Sequence, residues 1–273
     1  MKLWMDQVEY ELRRQEDFSW LKKYGECFAV YDRLTSGNIC FGLEGLYGRL
    51  FVKYAGAQTV NYSGRVQDAV DVLQNAAALY ETEHQSLTRL LNHGPVNGGY
   101  ALIFQFEEGQ NLHEPGCMAI VRRQSIIRRL HMLDGVIDLQ VQLEKKGLMA
   151  VDLSCDNLIA DLDMGRLIQC DIDLYTPFPR TNEAGRMPGL PRYLSPEEYR
   201  QGAVLDARTT VYKLGMLILD LLRDGEGYGE MQHSPAMVRV VQRALSENAK
   251  ERFPSAEEFQ LNWRQAVGKL RSW

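Results

Sequence analysis

Three polar residues in the stretch 149–175 interrupt apolar runs at places where they could do chemistry: Asp152, Asn157 and Asp171. The run Gly147-Leu148-Met149-Ala150-Val151 leads into Asp152, and a strand-like run, Asn157-Leu158-Ile159-Ala160, begins at the asparagine. Turn residues at 161–165 send the chain back, and the returning run, 166–170, ends on Asp171. A hairpin built this way sets Asn157 and Asp171 at neighbouring strand ends, with Asp152 just before it. Carboxylate and amide oxygens converging at strand ends suit a magnesium ion and a phosphoryl group. Taken alone, the same stretch also reads as acidic residues in solvated turns.

The elements that must hold these residues are legible as pattern. The 273-residue chain is long enough for one large domain or for two lobes, each with a core. With 45% apolar and 25% charged residues it has a globular composition, and its formal net charge of -5 argues against nucleic acid or an anionic membrane as main partner. No apolar run reaches spanning length and the first residues are too charged for a signal peptide, so a cytoplasmic protein is expected. The five cysteines, Cys27, Cys40, Cys117, Cys155 and Cys170, are odd in number and lack C-x-x-C spacing, which disfavours a disulfide framework and a zinc site.

Residues 1–24 carry Leu3, Trp4, Val8, Leu12, Phe18, Trp20 and Leu21 among charges, a loosely amphipathic pattern that predicts a helical extension. Residues 26–53 break into three strand-like runs at Thr35-Ser36-Gly37-Asn38 and Gly45-Leu46-Tyr47-Gly48, which predicts an antiparallel meander. Helical spacing of Val66, Val70, Leu73, Ala77, Leu87, Leu90 and Leu91 predicts a helix over 64–92. A strand-like run within 100–109 and a long helix at 117–146 follow, and a buried helix is expected around 209–222.

Asp152-Leu153-Ser154-Cys155-Asp156-Asn157, followed by Asp171-Ile172-Asp173, resembles the catalytic and metal-binding loops of the protein kinase-like superfamily, whose pattern is H-x-D-L-x-x-x-N and then D-F-G. That superfamily includes protein kinases and the aminoglycoside phosphotransferases. Further matches stand in the same order. Phe51-Val52-Lys53 resembles the strand that ends in the nucleotide lysine, and Glu83-His84-Gln85-Ser86-Leu87-Thr88-Arg89-Leu90 resembles the E-x-x-x-L-x-x-L helix, with Glu81 as runner-up to Glu83. Residues 100–109 resemble the strand that becomes the hinge. Gly189-Leu190-Pro191-Arg192-Tyr193-Leu194-Ser195-Pro196-Glu197-Glu198 resembles the close of the activation segment, and 250–259 resembles the R-F-x-S-A-x-E-F ending of bacterial protein kinases.

The resemblance, which covers nearly all of residues 27–262, implies an α+β, bilobal protein kinase-like fold: a small antiparallel-sheet lobe with a helix, and a larger, mainly helical lobe. The expected division is 1–24 as the extension, 25–106 as the nucleotide-binding lobe, and 107–273 as the lobe with catalytic loop, metal loop and substrate side. It implies ATP and Mg2+ as cofactors. Asp152, Lys53 and Glu83 are the catalytic set, with Lys53 on the phosphates and Glu83 on Lys53. Ser36, Gly37, Gln105, Phe106 and Glu107 are expected at the nucleotide. Asn157 and Asp171 are expected at the metal, and Asp173 either joins them or is a solvated turn residue. Glu197 and Arg252 are expected to form a buried pair, and Thr210 stands where the family's aspartate anchors the catalytic loop.

Ala150 and Val151 replace the usual His and Arg, Ser154 replaces the lysine of Ser/Thr kinases, Leu190 replaces the threonine beside the substrate hydroxyl, and the phosphate loop at 34–39 keeps one glycine. A divergent bacterial-type Ser/Thr protein kinase acting on a protein hydroxyl is the leading expectation. The alternatives are a pseudokinase that binds nucleotide or a partner without catalysis, and a small-molecule kinase of the aminoglycoside type.

Overall fold

Strand-forming residues in 26–55 and 90–105 build one five-stranded antiparallel sheet. The computed structural model describes residues 1–46, 48–223 and 229–268. The chain divides into two compact units, Met1–Glu83 with Thr88–Glu107, and His84–Leu87 with Glu108–Trp273.

The first unit opens with a hairpin, β1 (Lys2–Met5) on β2 (Val8–Glu11). The sheet follows: β3 (Glu26–Tyr31), β4 (Asn38–Gly45), β5 (Gly48–Ala55), then β6 (Leu90–Val96) and β7 (Gly99–Gln105), in the order β3-β4-β5-β7-β6. One helix, α1 (Val66–Ala76), lies between β5 and β6 and buries Ala69, Val70, Leu73 and Ala76. The meander is as expected; of the turn predicted at 45–48, Tyr47 lies outside the described residues.

Two expectations are corrected here. Residues 1–24 are not a helical extension: they form the β1–β2 hairpin and a 3-10 turn, Ser19–Lys23. Tyr10, Leu12, Phe18 and Leu21 share one core with Ile39, Phe41, Val52, Tyr54 and Ile103 of the sheet, and Leu3, Met5 and Val8 pack against it. The period is therefore two, Leu3-Met5 and Val8-Tyr10-Leu12, with Trp4 pointing the other way at 65% exposure.

The helix predicted over 64–92 also ends early. Beyond α1 there is a 3-10 turn, Ala77–Glu81, and Thr82 is already extended. Leu87 then bridges Gln169, and Leu90 begins β6, which pairs with β7. Gly94 and Pro95 are poor helix formers, and cross-strand pairing decides the conformation of this segment.

The second unit begins with β8 (Gln110–Asn111) and α2 (Cys117–Arg122). The helix predicted over 117–146 is interrupted at 123–125, because Ser125 has an extended backbone and its side chain accepts from the Arg128 N–H, capping α3 (Ile126–Lys145). Next come β9 (Leu148–Met149) and the hairpin of β10 (Leu158–Asp161) and β11 (Arg166–Gln169). The last three helices are α4 (Ala207–Leu222), capped by Asp206, α5 (Pro235–Ala244) and α6 (Ala256–Gly268). Among the described residues, no helix is long and apolar enough to cross a membrane.

Candidate active site

The loop between β9 and β10 carries Asp152 in a conformation that L-residues rarely adopt, with φ at 61°. Such a backbone costs of the order of 1–3 kcal/mol and persists only where its surroundings fix it. Three contacts do so. The Ala150 N–H donates to the Thr210 hydroxyl on α4 at 3.0 Å. Asn157 Nδ2 donates to the Asp152 carbonyl at 2.8 Å. Gly189 passes so close that a Cβ there would lie 3.1 Å from Asp152 Oδ1, and its own φ of +131° suits glycine alone.

Burial pushes the Asp152 carboxyl above its ordinary range, and the Asp171 charge adds to this. The Asn157 amide, the Lys213 charge and the Leu190 N–H pull the other way without cancelling it.

The hairpin has the predicted register, Leu158 opposite Gln169, and the Cys170 N–H donates to the Asn157 carbonyl at 3.0 Å. Asn157 and Asp171 therefore sit at adjacent strand ends. With Nδ2 of Asn157 engaged on Asp152, its Oδ1 is the atom left for a cation, and Asp171 and Asp173 bring carboxylates. Asp171 Oδ1 accepts from the Asp173 N–H at 3.0 Å, which holds the two acids in one turn. This hard-oxygen set fits magnesium, which takes one or two carboxylates and completes its shell with water and phosphate. Among the described residues no group of three or more His, Cys, Asp or Glu side chains gathers as a cage.

Beneath this turn lies a device that sequence reasoning missed. Tyr175 donates to Gln140 Oε1 at 2.9 Å, Gln140 Nε2 donates to Gln169 Oε1 at 2.8 Å, and Gln169 Nε2 donates back to the Tyr175 hydroxyl at 2.8 Å. All three are buried, and Gln169 Nε2 also reaches the Asp171 carbonyl at 3.3 Å. The ring satisfies its own polar atoms in an apolar setting and fixes the backbone at Asp171. Its only sequence signal is Gln169 at the end of the apolar run of β11, since Gln140 sits between Asp138 and Gln142 in α3. Asn111 adds a further tie, donating to the Asp156 carbonyl at 2.9 Å.

Two buried ion pairs hold the segment after Gly189. Arg252 grips Glu197 through both nitrogens at 2.7 and 2.9 Å, with side chains 0% and 5% exposed. Burial by itself would raise the Glu197 pKa, but the Arg252 hydrogen bonds and charge prevail and hold it low. Next to it, Lys213 donates to both oxygens of Glu198 at 2.8 Å, and Ser195 caps the same carboxylate. The second pair was not foreseen, although a lysine in the apolar run of α4 requires a buried acid. Arg192 and Tyr193 both reach Asp220 Oδ2 at 2.6 Å, and Arg192 touches Cys155 Sγ at 3.1 Å.

In the first unit, Lys53 is buried on β5 and its register partners are Cys40 on β4 and Leu102 on β7. Ser36 Oγ accepts from the Asn38 N–H at 3.4 Å across the Ser36-Gly37 turn. Phe104 is buried edge-on against Tyr80. Two of the residues expected at the nucleotide have their amides already engaged: the Gln105 N–H donates to Arg89 O at 3.0 Å and the Phe106 N–H to Arg49 O at 3.2 Å. Glu107, the third of the residues expected there, is half-buried. Glu83 lies beyond the 3-10 turn, exposed and on no helix, so the helix expected to present it to Lys53 is absent there.

A five-stranded antiparallel sheet with one helix and a mainly helical second unit are compatible with a protein kinase-like fold. Sequence comparison points the same way. The chain is 26% identical over 237 residues to the serine/threonine-protein kinase pkn3 of Myxococcus xanthus, covering 72% of the chain and 42% of that protein. It is 26% identical over 164 residues to pkn2 of the same organism, covering 55% of the chain and 18% of the relative. With the serine/threonine-protein kinase PksC of Streptomyces coelicolor it shares 34% over 95 residues, covering 27% of the chain and 17% of the relative. No family model matches the chain. It spans less than half the length of these curated relatives. The similarities support a place for the chain in the protein kinase-like superfamily.

Proposed function

We propose that the chain is an ATP-dependent phosphotransferase of the Ser/Thr protein kinase type. The observation that carries this reading is the pinned loop: Asp152 at φ 61°, held by Thr210 and Asn157, beside a hairpin end that carries Asp171. Asp152 orients a substrate hydroxyl and accepts its proton as the oxygen bonds to the γ-phosphorus and the bond to the β-phosphate oxygen breaks, leaving ADP. Lys53 binds the α/β-phosphates. Asn157 and Asp171, with Asp173 in the same turn, would hold magnesium, which would supply neutralisation of the phosphate charge. Glu83 has no part in this mechanism, because it is exposed and off the helix.

The test is MgATP turnover by the purified chain, by autophosphorylation and on a generic protein substrate, against Asp152→Ala. A drop of at least about a hundredfold is expected for loss of a general base. Equal rates would sink the proposal. A second reading, a pseudokinase that binds a nucleotide or partner without transfer, is favoured by the position of Glu83 and the engaged amides of Gln105 and Phe106. It predicts no turnover in either protein.

A further inference from the structure

The face of the sheet that carries Lys53 already has occupants. The pairing of β3 with β4 shifts between Cys27 and Ala29, a bulge of the kind that re-aims a side chain. Cys27 stays in the core on the far face, while Phe28 turns onto the face of Gly42, Phe51 and Lys53. The Phe28 ring lies so close to Gly42 that a Cβ there would sit 2.6 Å from its Cζ, so only glycine leaves the ring room.

Two neighbours hold the ring. Phe106 meets it at 5.3 Å with the planes at 72°, and the Arg49 guanidinium lies 4.9 Å from its centroid. Beside them Phe51 packs on Tyr31 with centroids 5.9 Å apart. Phe28 still exposes 36% of its surface, so it covers the sheet from outside and is not core. On this face Gly42 thus lies beneath the Phe28 ring, and Phe51 beside it is packed by Tyr31.

We propose that Phe28 is a gate over this face and sets the affinity for a purine base; the proposal rests on the nucleotide reading above. A base reaches the sheet only when the ring leaves Gly42 and gives up Arg49 and Phe106. Apparent affinity is then lowered by the fraction of molecules in which the ring is away. Phe28 is not itself among the groups assigned to phosphoryl transfer, so the effect is expected on binding.

Isothermal titration of the full chain with MgATP and, separately, with adenosine tests this, comparing wild type with Phe28→Ala. The variant is expected to bind both ligands about tenfold more tightly, since loss of one aromatic pair and one cation–π contact releases the gate. Adenosine has no phosphates, so an equal gain for it assigns the effect to the base. Unchanged affinities overturn the gate and leave the nucleotide reading intact, and weaker binding overturns it by making Phe28 a contact to the base. No binding of either ligand to either protein overturns both. If Phe28→Ala does not fold, Phe28→Val, too short to lie over Gly42, carries the same expectations.

Discussion

Asp152 combines a rare backbone, a buried carboxyl and a nearby acid, and each has a measurable consequence. Its pKa lies above the ordinary aspartate range because burial disfavours the charge. A group raised on folding contributes stability below its unfolded pKa and loses that contribution as pH rises through the folded one. At neutral pH the ionised Asp152 therefore works against folding. Asp152→Asn is expected to raise the melting temperature at pH 7 relative to wild type while abolishing turnover, with the difference shrinking towards pH 4. An unchanged or lower melting temperature at pH 7 would contradict the assignment of burial as the dominant influence. The acidic limb of the wild-type pH–rate profile is likewise expected above the range of an exposed aspartate.

At the scale of elements, Glu197 and Arg252 tie the segment before α4 to the segment before α6. Removing one partner from a buried pair strands the other, which costs about 3–5 kcal/mol, whereas removing both costs less than the sum. Urea melts of Glu197→Ala, Arg252→Ala and the double variant check this, with the coupling as the readout. Because the Glu197 pKa is lowered, the contribution of the pair is present above the unfolded value and is lost as pH falls through the folded one.

The β10–β11 hairpin is legible in the sequence because two apolar runs flank a turn at 161–165, whereas the Glu197–Arg252 pair and the Thr210 contact are legible only through the resemblance to the protein kinase-like superfamily. The helix predicted over 64–92 fails beyond α1 because Leu87 and Leu90 fit a helical period, while their conformations are set by Gln169 and β7. The N-terminal hairpin was misread because Trp4 was counted with the apolar face, and strands of four residues give a period too little length to declare itself. Gln140, Gln169 and Tyr175 could not be joined from sequence, since nothing local specifies a ring closed across α3, β11 and a turn.

For the molecule as a whole, the first 24 residues decide whether the first unit has a core. Tyr10, Leu12, Phe18 and Leu21 cover Ile39, Phe41, Val52 and Tyr54, so a chain starting at residue 25 would expose one face of the sheet. Such a truncation is expected to aggregate on expression or to lose the cooperative thermal transition of the first unit. A monomeric, folded product on gel filtration would show that the hairpin is dispensable.

The adjacent acids Glu197 and Glu198 also impose an order on biosynthesis. Lys213 follows Glu198 by 15 residues, but Arg252 follows Glu197 by 55. As the chain leaves the ribosome, Glu198 can find its cation while α4 is forming, whereas Glu197 must wait in water until residue 252 has been made. The second unit is therefore expected to consolidate late in synthesis, and nascent chains halted between residues 222 and 252 should remain protease-sensitive around residues 189–199.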